Sequence, residues 1–131
     1  MRQVRPEFIL ARVRDDDPIA ALDQLRALID MVDGEQVSIE IFGPLAIVTC
    51  GGIFDADAPR PVLEARRQSL VAKITATLGQ NVALVHGSGD AVVGNVGGDK
   101  LFRYGCLFAS FSAILKALTE TRFGEIKEWQ A

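Results

Sequence analysis

The feature that most constrains this chain is a two-residue gap. Val37, Ile39 and Ile41 alternate with Ser38 and Glu40, the period of a half-exposed strand, and the apolar run Leu45-Ala46-Ile47-Val48-Thr49-Cys50 begins after only Gly43-Pro44. Parallel strands need a long crossover, so these two runs are predicted to pair antiparallel, and glycine in first place suits a tight turn with positive φ. Any fold for the chain has to be built outward from that hairpin.

Upstream, Phe8-Ile9-Leu10-Ala11-Arg12-Val13 follows Pro6 and reads as a buried strand interrupted by one charge, Arg12. Asp15-Asp16-Asp17 before Pro18 reads as a helix start: Asp17 caps the free amides, Pro18 suits the first helical position, and the acids sit at the positive end of the dipole. Capping is preferred to metal binding for this carboxylate cluster. Ile19, Leu22, Leu25, Ile29 and Val32, with Leu28 beside them, then recur at helical spacing up to Gly34 and are expected to face a core.

Downstream, Gly51-Gly52 ends the second hairpin strand, and residues 53–59 read as a proline-bounded loop into a helix. Leu63, Leu70, Val71, Ile74 and Leu78 mark the inward face of that helix, Arg66, Arg67 and Lys73 its wet face, and Gly79 its end. Val82-Ala83-Leu84-Val85-His86 is the next strand, expected to turn at Gly87-Ser88-Gly89-Asp90 into Ala91-Val92-Val93 as a second hairpin. Phe111, Ile114, Leu115 and Leu118 define a last amphipathic helix that Gly124 ends, followed by Ile126-Lys127-Glu128-Trp129. The order is strand, helix, hairpin, helix, hairpin, helix, with no repeats or linkers. It predicts an α+β sandwich of ferredoxin-like type, a mainly antiparallel sheet with helices packed on it, in one domain spanning residues 1–131.

At 131 residues such a domain buries about two-thirds of the surface that its unfolded chain exposes. With 49% hydrophobic residues the chain lies at the apolar end of globular composition, which leaves apolar surface for a partner. A net charge of -3 gives no footprint for nucleic acid or an anionic membrane, since both need clustered Lys and Arg. Cys50 and Cys106 lie in or beside apolar runs without a secretory signal or a long apolar span. They are read as two buried thiols of a cytoplasmic protein, not as a disulfide or a metal site.

The stretch from Ala91 to Tyr104 holds the other candidate chemistry. Gly94, Gly97 and Gly98 surround Asn95, and Lys100 follows, but the phosphate-loop pattern needs Gly before that Lys and Ser or Thr after it, whereas Asp99 and Leu101 stand there. Backbone geometry is the preferred role of these glycines, with Gly97, Gly98 and Lys100 kept as candidates for holding an anion. His86, at the end of an apolar strand, is read as structural. Most carboxylates fall at helix starts and loops, and Glu40 is the exception: it belongs to a strand near a hairpin corner, and the alternation puts it on the solvent side.

Ser88-Gly89-Asp90-Ala91-Val92-Val93-Gly94-Asn95-Val96-Gly97, running on to Phe102-Arg103-Tyr104, resembles the signature of the class III adenylate/guanylate cyclase catalytic domain, roughly [ST]-G-x-[AV]-V-x-G-N-[IV]-G and then F-[DE]-Y. Arg103 departs from it, where the family prefers an acid. The resemblance extends over the element order, with Phe42-Gly43-Pro44-Leu45 at the family's first hairpin corner.

That resemblance implies a two-metal reaction, and two aspartates to hold the metals. At their positions stand Arg12 and Pro44, neither of which ligates Mg²⁺. Glu40 falls where guanylate-type members carry a base-reading Glu. In an ungapped reading from Tyr104, the family's Gly-Asp pair falls on Phe108-Ala109, its transition-state Asn on Ser112 and its phosphate-binding Arg on Lys116. Tyr104-Gly105-Cys106-Leu107-Phe108 also resembles the guanylate-cyclase Tyr-Cys-Leu-Phe, one residue out of step. The resemblance therefore implies a shortened, degenerate domain with no catalytic set, no metal and no cofactor. Its expected partner is a second copy or another cyclase-like domain. The alternatives are a sensor that holds an anionic or nucleotide ligand through Lys100, Lys116 and the amides of Gly97 and Gly98, with Glu40 as the candidate for reading a base, or the non-catalytic half of a cyclase pair.

Overall fold

The computed structural model describes residues 1–95, 97 and 104–130. In chain order the elements are β1 (Arg2–Val4), β2 (Glu7–Val13), α1 (Pro18–Val32), β3 (Val37–Phe42), β4 (Leu45–Cys50) and α2 (Arg60–Leu78). A short 3-10 turn (Gly79–Asn81) then leads to β5 (Val82–Ser88), β6 (Ala91–Asn95), β7 (Tyr104–Phe108), α3 (Phe111–Thr119) and β8 (Ile126–Glu128). The predicted hairpin is present: Phe42 pairs with Leu45 across Gly43, whose φ is +56°. The start of α1 is also as expected, with the Asp17 carboxylate accepting from the amides of Ile19 and Ala20 ahead of Pro18.

The larger sheet runs β3-β4-β2-β5-β8, antiparallel except for the β5–β8 pair. Its first four strands with α1 and α2 make a βαββαβ unit in ferredoxin-like order. The smaller sheet runs β1-β6-β7.

The second hairpin is not the one expected. β5 and β6 do not pair with each other. Instead, residues 2–13 and 82–93 form one antiparallel ladder that bends from one sheet into the other, from Arg2 opposite Val93 to Val13 opposite Val82, with no residue inserted or lost. Pro6 has no amide to donate, so the ladder thins at the corner. What spans the gap there is the Gly89 amide on the Pro6 carbonyl at 3.2 Å and the Arg5–Asp90 ion pair at 2.8 Å. The hairpin partner of β6 is β7, with Ala91 opposite Phe108, so a strand that the predicted element order lacks stands before the last helix.

Two apolar layers sandwich the larger sheet. On one side Ile9, Ala11, Val13, Val48 and Leu84 meet α1 and α2; on the other, Phe8, Leu10, Ala83 and Val85 meet α3 and the smaller sheet. The inward face of α2 is as predicted, with Leu63, Leu70, Val71, Ile74 and Leu78 all buried. Arg67 is a correction: it was expected in solvent, but it is on the same inward line and only 3% exposed. On α1 the buried residues are Ala21, Leu25, Leu28 and Val32, whereas Ile19, Leu22 and Ile29, expected in the core, face solvent. α1 carries two apolar stripes, and the one of Ala21, Leu25, Leu28 and Val32 packs on the sheet. α3 ends at Thr119, short of Gly124, which at φ +90° serves the turn into β8.

Candidate functional site

Alternation along β2 puts Phe8, Leu10 and Arg12 on the α3 side of the sheet. Arg12 is half-buried there. One terminal nitrogen donates to the Thr121 carbonyl at 2.6 Å, and its guanidinium carbon lies 4.3 Å from the centre of the Phe123 ring. Arg14 stacks on the same ring at 4.5 Å. Arg12 is therefore tied to the segment after α3 by a charge-assisted hydrogen bond and a cation–π contact, while its Nε is buried without a partner.

Pro44 is half-buried in the hairpin turn, and its carbonyl accepts the Val13 amide at 3.0 Å, which fixes the turn against the end of β2. Neither a guanidinium nor a proline offers the carboxylate oxygen that Mg²⁺ takes, and among the described residues no three His, Cys, Asp or Glu come together to hold a metal. The residues present do not fit the two-metal centre that the resemblance implies.

Glu40 is exposed on β3, opposite Ile47, and shares the face of Ile47, which packs on the same apolar layer as Cys106 of β7. Burial, and after it the Glu40 charge, push the Cys106 thiol up to about 11. The two residues thus converge from strands far apart in sequence. Cys106, expected to be a buried thiol, is half-buried, and the Tyr-Cys-Leu-Phe likeness around it is the signal for its place within reach of the Glu40 charge.

Phe108 is 4% exposed and packs edge-to-face on Phe8, with ring centres 5.2 Å apart; it belongs to the core between the sheets. Ser112 and Lys116 are exposed on α3. Ser112 lines a largely apolar cavity of about 530 Å³ together with Gln3, Val92, Leu107 and Phe111, a lining that does not include Lys116. The Gly97 amide donates to the Asn95 side chain at 2.9 Å, so that amide is used within its own turn. Gly98 and Lys100, the other two anion candidates, lie outside the described residues.

Sequence reasoning missed a buried polar cluster on the α2 side. Glu7, Arg67 and His86 are 1%, 3% and 5% exposed; Arg67 Nε donates to Glu7 at 2.9 Å, and its Nη1 meets His86 Nδ1. Arginine has no acceptor, so His86 Nδ1 accepts and the ring is neutral with its proton on Nε2. Burial, and then the Arg67 charge, hold the His86 pKa below its usual value. The structural reading of His86 is consistent with this arrangement, and the spacing of position 67 from Leu63, Leu70 and Ile74 was the available signal.

No protein-family model and no curated protein matches the chain. Solved structures do. The non-canonical dimeric guanylyl cyclase domain of the RhoGC fusion protein from the aquatic fungus Blastocladiella emersonii covers 96% of this chain and 80% of its own, at 11% identity and a TM-score of 0.71. The guanylate cyclase domain of RhGC from Catenaria anguillulae in complex with GTP covers 96% and 79%, at 13% identity and a TM-score of 0.68. The guanylyl cyclase Cya2 covers 95% and 74%, at 18% identity and a TM-score of 0.61. The fold is that of the class III adenylyl/guanylyl cyclase catalytic domain, and at these identities the fold is what the chains share.

Proposed function

We propose that residues 1–131 form a catalytically silent cyclase-homology domain. It keeps the fold as a dimerisation and regulatory module in cytoplasmic signalling, pairing with itself or with another cyclase-like domain. The observation that carries this reading is Arg12. At a position where the resemblance calls for a metal-binding aspartate stands a cation held by Thr121 and Phe123, with Pro44 at the second such position.

Support for pairing comes from the outer face of β6 and β7, where Leu107 is 70% and Val92 39% exposed, and from the dimeric Blastocladiella domain. The test is an assay with Mn²⁺ and ATP or GTP at high protein concentration, beside light scattering. A dimer with no cyclic nucleotide is the expected result. Sustained cyclic nucleotide formation, lost on Glu40→Gln or Lys116→Ala substitution, would overturn it.

Glu40 and Cys106 favour a second reading, a nucleotide sensor without catalysis. An exposed carboxylate can accept from the N1–H and 2-amino groups of guanine, and the Catenaria domain of the same fold holds GTP. Calorimetry against a nucleotide panel separates the readings. Stoichiometric heat with GTP, lost in Glu40→Gln, supports the sensor, and no heat from a dimer supports the interaction module.

A further inference from the structure

We infer that the outer face of α1, with the groove between α1 and the β3–β4 turn, is a docking surface for a basic amphipathic helix of another protein.

The helix shows why. Ile19, Leu22 and Ile29 fall on one line of an α-helix, with Arg26 between the last two, and they are 75%, 67% and 42% exposed. Their burial contributes nothing to the fold, because the opposite stripe of Ala21, Leu25, Leu28 and Val32 already closes the core. Beside the stripe lies a groove of about 360 Å³. Pro18, Ala21, Leu22 and Leu25 line it from the helix, Pro44 from the hairpin, and Asp15 stands at its mouth. Its walls are almost wholly apolar, and it is large enough to take a leucine or phenylalanine side chain.

Charge chooses the occupant. Between positions 15 and 33 the sequence has six aspartates (Asp15, Asp16, Asp17, Asp23, Asp30 and Asp33) against the single cation Arg26, in a chain whose net charge is only -3. All six are exposed, and none is in the ion pairs found among the described residues, although Asp17 also caps the helix. A second copy would bring two acidic rims together, and an anionic membrane would be repelled by the same rim. A small apolar ligand would fill the groove and leave Ile19 and Ile29 bare. A helix with apolar side chains at i, i+3 or i+4 and i+7, flanked by Lys and Arg, covers the stripe, places one anchor in the groove and meets the aspartates with opposite charge. This surface is separate from the β6–β7 face proposed for pairing.

The test uses the full chain and two fluorescein-labelled helical peptides of one apolar pattern, one of leucine and lysine, the other of leucine and glutamate, read by fluorescence anisotropy. The leucine/lysine peptide is expected to bind saturably and more weakly as salt is raised. Leu22→Ser and Ile19→Ser are each expected to weaken it by about tenfold or more, the range of a lost interface anchor. An Asp23→Lys, Asp30→Lys double variant should shift preference to the leucine/glutamate peptide. These side chains are exposed, so thermal melting and circular dichroism should show the variants folded as the parent. Lack of saturable binding, or binding insensitive to Leu22→Ser, overturns the proposal. So does self-association that Leu22→Ser abolishes in sedimentation velocity, which would make the occupant a second copy.

Discussion

Arg67 Nε donates to Glu7 Oε1 at 2.9 Å where both side chains are almost entirely removed from water, one on α2 and the other at the first position of β2. A buried pair of this kind does little for stability relative to an apolar pair of the same volume. Removing one partner leaves the other charged in a low-dielectric site. Arg67→Ala is therefore expected to destabilise the chain by about 3–5 kcal/mol in urea denaturation. The double variant Arg67→Met, Glu7→Leu should recover most of that loss. A double variant as unstable as Arg67→Ala would mean that the pair also supplies packing that no apolar replacement restores.

His86 lies against the same guanidinium, with Glu128 as the opposing charge nearby, and its pKa is lowered in the fold from the ordinary 6.5. The unfolded chain then binds the proton first as pH falls. Its contribution to stability is complete above about pH 6.5 and is lost as pH drops below that value, until the folded state also takes up the proton. The urea midpoint should thus fall between neutral and mildly acidic pH, and His86→Gln should flatten that slope. An unchanged slope in the variant would assign the acid sensitivity to other groups.

Two glycines with positive φ separate backbone strain from packing. Gly43, at φ +56°, has open space where a Cβ would go, so Gly43→Ala should cost only the left-handed backbone penalty, about 1–2 kcal/mol. Gly51, at φ +79°, would direct its Cβ into the Leu63 side chain, which is 4% exposed. Gly51→Ala adds overpacking of about 1–3 kcal/mol to the same penalty, and thermal melts of the two variants should differ by that amount.

Arg12 gives a prediction about chemistry as well as stability. Replacing it with Asp supplies the carboxylate that the cyclase resemblance implies, but removes the hydrogen bond to Thr121 and the stack on Phe123. With Pro44 unchanged, Arg12→Asp should bind Mg²⁺ or Mn²⁺ no better than the parent in calorimetry. It should also lose about 1.5–3 kcal/mol, the range for a hydrogen bond to a charged group. Arg12→Met keeps most of the stem and should lose less.

How far the sequence carried follows from which signals are local. The β3–β4 hairpin and the α2 core face are written in spacing alone, and the glycine signature pointed to the fold. The sheet change at Pro6 and Gly89 is not, because it depends on which distant strand completes the ladder. Nor is the packed face of α1: two apolar stripes compete on that helix, and only the sheet beneath decides between them. At the candidate site, Arg12 and Pro44 are singled out by the resemblance alone, whereas the nearness of Glu40 and Cys106 depends on how the two sheets meet. Arg67 is the instructive miss, since a charge on an inward helical line reads as an error in the line until its partner on β2 is known.

Cysteine reactivity tests the place of Glu40. The Cys106 thiol, held up to about 11 by burial and then by Glu40, should alkylate slowly at mildly alkaline pH. Against the ordinary 9.0 this means roughly a hundredfold less thiolate, and the thiolate is the reactive form. Glu40→Gln removes the negative charge and leaves the burial, so the thiol pKa should fall part of the way and the rate of iodoacetamide labelling at Cys106 should rise. Cys50, also pushed up to about 11 by burial, is fully buried with Arg66 as its largest charge influence, and should not respond to that substitution. Peptide mapping by mass spectrometry resolves the two sites. Equal acceleration at both would mean that Glu40→Gln loosens the whole fold; no change at Cys106 would mean that the carboxylate and the thiol do not sense each other in solution.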